Sequence, residues 1–431
     1  MVTDRSGRAR AAGQPVTIQR FVALACALMA ATAAAAQLAG DPIDLDHPAI
    51  GYRQRTPADR FTELNRRAQS GEATLSYEGG SGYLRSLLRA LDVPIESQVL
   101  VYSKTSLQSS LIGPSNPRAI YFNDSVVVAW VRGGFIEIAA QDPSQGPSFY
   151  LLPQRPDGVP RLLRDSQCLG CHYSANADGV PGLFVRSIPT TPDGRQMPWL
   201  GNAFVDHRTP LADRWGGWYV TGTHGSLRHL GNLVVADALA KELPPWSASR
   251  TLSTTVGRFD TRGYPTPHSD IVALLVFEHQ MRMMNLLTRA GWEARILAAQ
   301  GGSALSTSLD ETISALVDYL LFVGEAPLDG VRGTSGFAEH FGARGPRDGK
   351  GRSLRDLDLR KRLMRYPCSY MIYAEAFDAL PAGVREAIYG RLKAVLTGAD
   401  RAAKYAHLTI ADRQAILEIL RATKQNLPAN F

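Results

Sequence analysis

Apolar positions recur at two different periods along this chain. Phe61-Thr62-Glu63-Leu64-Asn65-Arg66-Arg67-Ala68 and the run from Tyr83 to Leu91 carry them at helical spacing, separated by Gly71 and the turn Gly79-Gly80-Ser81-Gly82. From 97 to 152 the runs become β-branched and aromatic. Gln98 to Ser103, Ala119 to Phe122, Ser125 to Val131 and Phe135 to Ala139 are bounded by Gly, Pro, Asn and Asp, and Arg132-Gly133-Gly134 joins the last two as a hairpin. A small antiparallel sheet is predicted there. Past His268 the helical period returns. Ser269 is positioned to cap a helix from Asp270 to about Arg289, whose first two turns are apolar all round and so predicted to be buried. Ser308-Leu309-Asp310-Glu311 reads as a capping box for a helix ending near Gly324. Three last helices follow, at about Ser369 to Leu380, Ala382 to Leu396 and Ala411 to Ala422, with Pro381, Gly398 and the pair Thr409 and Asp412 as their punctuation. The fold class predicted is α+β, a β-rich N-terminal half beside a mostly α-helical C-terminal half.

Composition adds that the chain folds: 45% hydrophobic and 20% charged residues over 431 positions are enough for a full core. Residues 1–36 stand apart. Arg5, Arg8, Arg10 and Arg20 precede an apolar run from Phe21 to Ala36 that closes on Ala34-Ala35-Ala36, the pattern of a secretory signal peptide. Cys26 falls inside it and is expected to be discarded. Removing the segment takes four of 47 basic and one of 40 acidic residues, which leaves a mildly basic mature chain with no reason to propose nucleic acid and no membrane span, an uncleaved anchor at the N-terminal run being the alternative. The organisation expected is a signal peptide at 1–36, helices and sheet at 37–155, a cofactor-binding region at 156–265 and a helical region at 266–431.

Candidate chemistry centres on Cys168-Leu169-Gly170-Cys171-His172. Two thiols separated by two residues and followed at once by a histidine suit covalent attachment of one haem c, with thioether bonds from Cys168 and Cys171 and iron ligation by His172. A redox dithiol and half a zinc site are the alternatives. The remaining mature cysteine, Cys368, is isolated, and reads as a buried thiol without chemistry.

The motif resembles that of the small c-type cytochromes, and Gly179-Val180-Pro181-Gly182-Leu183 resembles the turn that follows it in them. That resemblance implies a Pro181 carbonyl accepting a hydrogen bond from His172. Met197-Pro198 resembles their Met-Pro distal ligand. His224, between Gly222 and Gly225 and near Trp215 and Trp218, is the other candidate for the sixth position, with His207, His229, His279 and an open site as further options. A periplasmic one-haem electron-transfer protein with a redox protein partner is the first functional expectation. A peroxidase- or oxygenase-like haem enzyme with an open sixth site is the second, and a gas sensor the third. Two more features bear on it. Glu278, Arg282, Asn285 and Arg289 form a stripe at i, i+4, i+7 and i+11, predicted to face solvent, with a propionate contact or proton relay as the alternative. The basic run from Arg344 to Arg365 is predicted to be solvated, with docking of an acidic partner or of haem propionates as the alternative.

Overall fold

The computed structural model describes residues 41–156, 163–246, 250–302 and 305–431. The expected signal peptide, with Cys26, lies outside the described residues. An α+β fold is observed. Its first helices, α1 (Arg60–Gln69) and α2 (Leu84–Ala90), precede a sheet built from β1 (Val99–Val101), β2 (Arg118–Phe122), β3 (Val126–Trp130), β4 (Ile136–Asp142), β5 (Gly146–Leu152) and β6 (Leu163–Arg164). These pair antiparallel in sequence order, and β9 (Trp218–Tyr219) joins the outer edge of β1. The sequence reading missed β5, whose Gly-Pro start masks a run that pairs with β4 along its whole length.

Strand side chains alternate between two faces, and both are covered. Leu100, Tyr121, Val128, Trp130 and Ile138 point toward Phe61, Leu64, Leu84 and Leu87 of the N-terminal helices. Val99, Val101, Ile120, Phe122, Ala129 and Phe149 point the other way, into a larger core that also takes in residues from Leu45 to Phe431. The sheet is thus a middle layer, which is why its strands read as nearly unbroken apolar runs. Described residues of the expected stretches 37–155, 156–265 and 266–431 all contribute to that larger core.

The residues between the sheet and His268 form a short helix, α3 (Leu169–His172), the two-stranded pair β7 (Val185–Ser187) with β8 (Ala203–Val205), and β10 (Thr223–His224), whose partner β11 (Val331–Arg332) comes from the second half of the chain. The axis of the second half is α4 (Ile271–Ala299), about 43 Å long at 1.5 Å per residue. Its cap is Asp270, not Ser269. The Asp270 carboxylate accepts from Val272 and Ala273 N–H, while Ser269 Oγ accepts from Leu100 N–H and donates to the Tyr219 carbonyl, tying the helix start to the sheet. The helix also runs ten residues past its predicted end, because nothing at Arg289 stops it.

Around α4 pack α5 (Thr307–Leu320), α6 (Phe337–Ala343), α7 (Glu375–Asp378) and α8 (Ala382–Thr397), and α9 (Ile410–Thr423) packs on α8. Ser306 rather than Ser308 caps α5. Helix α8 ends at Gly398 with φ 78°, and α9 opens with the reciprocal Thr409 and Asp412 capping box. Among the described residues no helix is long and apolar enough to cross a membrane.

Candidate functional site

The Cys168 to His172 motif is a single helical turn. His172 N–H donates to the Cys168 carbonyl at 2.9 Å and Tyr173 N–H to that of Leu169 at 3.0 Å. At i, i+3 and i+4, Cys168, Cys171 and His172 share one face of that turn, while Leu169 is buried as its anchor. Both thiols are free of disulfides; Cys171 is exposed and Cys168 half-buried. Burial, then the nearby Asp165 and Glu137 carboxylates, push the Cys168 thiol up to about 11.

His172 is held from three sides. Its Nδ1 lies 3.0 Å from the Gly182 carbonyl oxygen. A carbonyl only accepts, so Nδ1 carries the proton and the lone pair of the neutral ring sits on Nε2. Burial lowers the imidazole pKa and outweighs the opposing effect of that hydrogen bond, so the ring is neutral. Phe149, projecting from β5, stands 4.9 Å away between ring centroids, and Phe184 stacks at 5.7 Å and 27°. Phe149 thus brings strand β5 of the sheet against this motif. Among the described residues, Nε2 takes no hydrogen-bond partner.

Pro181 is not the acceptor. It pairs with Tyr173 in an isolated bridge, which sets Gly182 opposite His172, and Gly182 N–H donates to the His172 carbonyl at 2.8 Å while its own carbonyl meets the ring. Proline could not supply that N–H. Glycine is required there by crowding: a Cβ would lie 2.3 Å from Asn285 Oδ1 and 3.0 Å from Ala177 Cβ.

Neither candidate for the sixth position is brought to His172. His224 Nδ1 donates to the Leu227 carbonyl at 2.6 Å and its Nε2 meets Thr251 Oγ at 3.1 Å, so both ring nitrogens are engaged. Met197 is fully buried in a separate cluster with Leu200, Leu233 and Val235. His207 and His279 meet each other, Nδ1 to Nδ1 at 2.8 Å, and His279 Nε2 reaches Ser369 Oγ at 2.8 Å, with Tyr319 and Phe322 stacked on the His279 ring. His229 packs edge-on against His224 and Trp215. The paired tryptophans are core residues: Trp215 Nε1 donates to Glu278 and Trp218 Nε1 to the Arg186 carbonyl.

The polar stripe of α4 faces inward rather than to solvent. Glu278 and Asn285 are each 1% exposed. Arg282 bridges Asp178 at 3.3 Å and Asp206 at 3.1 Å, Arg289 Nη1 donates to the Asp178 carbonyl at 2.7 Å, and the Asn285 side-chain amide pairs with the Leu183 backbone. The stripe grips the 178–183 loop, the segment that holds the His172 ring. Burial raises Asp178, whereas the Arg208 guanidinium holds buried Asp206 well below the usual carboxylate range. Sequence reasoning missed Phe149, Asp178, Gly182 and Phe184. It grouped Asn285 with the stripe but turned that face to solvent, and a lone amide inside an apolar helix was the signal available.

Burial moves Glu278 up to about 7 despite its ion pair with Arg214. The folded chain therefore keeps a proton that the unfolded chain releases near 4.5, and rising pH across that window destabilises the fold. Glu278→Gln removes this effect. Urea unfolding is expected to show the variant gaining on the order of 3 kcal/mol over the parent between about pH 5 and about pH 8. An equal gap at both pH values would refute a carboxyl that holds its proton.

The basic run from Arg344 is largely paired within the chain. Arg344 meets Asp92, Arg347 Asp356, Arg352 Asp348 and Glu418, Lys350 Glu418, Arg355 Asp124 and Arg362 Asp412. Cys368 is buried and its thiol pushed up to about 12 by burial alone. Among the described residues no group of three His, Cys, Asp or Glu side chains is placed to hold a metal ion. No family model, curated protein or solved structure matches this chain.

Proposed function

We propose that this chain is a secreted c-type haem protein of the bacterial periplasm, with one covalent haem, that passes electrons to or from a redox protein partner. The observation that carries the reading is the helical turn itself: a half-buried and an exposed thiol at i and i+3 beside an imidazole whose Nδ1 proton is committed to Gly182, which leaves the lone pair on Nε2. Cys168 and Cys171 would hold the haem through thioethers and His172 would ligate its iron. When bound, the group supplies one-electron chemistry. The chain's own part is to fix the imidazole and to offer apolar surface, and exposed Phe204, edge-on to Phe184, together with the rings of Phe149 and Phe184 beside His172, suits a flat apolar cofactor. The arginine-led N-terminal segment agrees with export. With most of the basic run neutralised internally, its charge gives no reason to propose nucleic acid.

The test is expression of the full chain in the periplasm of a host that matures c-type haem. Haem that stays with the polypeptide on a denaturing gel is expected; a chain without it would overturn the reading. A second reading, a haem enzyme with an exchangeable sixth position, is favoured by the engagement of His224 and Met197 elsewhere. Six-coordinate low-spin ferric iron, unaltered by cyanide, supports the carrier; a high-spin spectrum that shifts on adding cyanide supports the enzyme.

A further inference from the structure

We propose that Asn285 is a positioning residue for His172, acting through the backbone of Gly182 and Leu183. Asn285 sits on α4, 102 residues from Leu183, and is buried. Its Oδ1 accepts from Leu183 N–H at 3.0 Å and its Nδ2 donates to the Leu183 carbonyl at 2.8 Å, so one side chain satisfies both polar groups of one residue. The N–H it holds belongs to the same peptide unit as the Gly182 carbonyl, and a peptide unit is planar. Fixing that N–H therefore fixes the direction of the carbonyl oxygen that receives the His172 Nδ1 proton.

Among the described residues, Asn285 Oδ1 is the acceptor for the Leu183 N–H. The missing Cβ of Gly182 lets α4 approach, since any side chain there would displace the Asn285 amide. One turn to either side, Arg282 and Arg289 tie down Asp178, at the start of the same loop. The helix thus presents one amide to the carbonyl-bearing peptide and two guanidiniums to the loop's entry. The consequence for His172 is a single tautomer and a single ring plane. As a statement about an iron ligand the inference rests on the proposed function; as a statement about the imidazole it does not.

The test uses the full chain with Asn285→Leu, close in volume but without hydrogen-bonding groups, and Asn285→Asp, which keeps the acceptor for Leu183 N–H. In haem-free protein, nitrogen NMR of His172 is expected to show the Nδ1-protonated ring alone in the parent and a mixture of tautomers in Asn285→Leu. Exchange of the Leu183 amide should quicken on the order of tenfold in Asn285→Leu and much less in Asn285→Asp. In haem-loaded protein the midpoint potential should rise in Asn285→Leu, because a ligand that loses its acceptor becomes less basic. An unchanged tautomer and an unchanged Leu183 exchange rate in a folded variant would overturn the inference. Should Asn285→Leu not fold, slow exchange of Leu183 in the parent and its partial loss in Asn285→Asp decide the question, and an unprotected Leu183 in the parent would overturn it. A parent chain that carries no haem would remove the proposed function and leave the tautomer result standing.

Discussion

On the proposed haem attachment, the Cys168→Ala, Cys171→Ala double variant is expected to retain no haem after acid-acetone extraction, and Cys368→Ala as much as the parent. The contrast follows from accessibility and spacing. Cys168 and Cys171 present their thiols one turn apart on the face that carries His172, whereas Cys368 is sealed in the core with its thiol shifted to about 12. Thioether attachment survives extraction and a non-covalent haem does not, so the measurement separates the two kinds of binding. Either single cysteine variant keeps one thioether and is expected to retain haem at reduced yield. Haem that stays with the double variant would refute attachment through this motif.

Arg214→Met is expected to cost about 3–5 kcal/mol near pH 8, the loss usual when one partner of a buried ion pair is removed. Arg214 and Glu278 are each about 1% exposed or less, and the guanidinium also donates to the carbonyls of Thr209 at 2.7 Å and His207 at 3.0 Å. Methionine fills the volume but leaves the Glu278 carboxylate with only Trp215 Nε1, at 3.2 Å. The double variant Arg214→Met, Glu278→Leu removes both charges and should recover most of the loss, since well-packed apolar residues often replace a buried pair without cost. Urea unfolding of the four proteins checks this. A double variant as unstable as Arg214→Met would show that the guanidinium acts through the two carbonyls and not through the carboxylate.

Spacing along the chain was a sufficient guide to several features whose partners lie within a turn or two. The Thr409 and Asp412 box, the hairpin at Gly133 and the turn from Cys168 to His172 are all local, and each was legible. Caps were legible as regions but not as residues. Ser269 and Asp270 are adjacent and both suit an N-cap, and the sheet edge claimed the serine hydroxyl through Leu100 and Tyr219. Strand β5 was hidden because Gly146 and Pro147 resemble loop residues until β4 is there to pair with them. Glycine on both sides of His224 suggested close approach to a cofactor, yet the contacts of that histidine are Leu227, Thr251 and His229.

By itself the sequence determined the α+β class, the helical ends marked by Gly398 and Thr409, and a two-thiol, one-imidazole turn suited to a covalent haem. Tertiary structure alone decided that Gly182 and not Pro181 receives the His172 proton, that Phe149 and Phe184 flank its ring, and that the α4 stripe is buried against the 178–183 loop. The physical reason is the same in each case. A chemical motif within one helical turn is set by covalent geometry, whereas a polar stripe shows only that one face differs, and what meets that face depends on packing across a hundred residues.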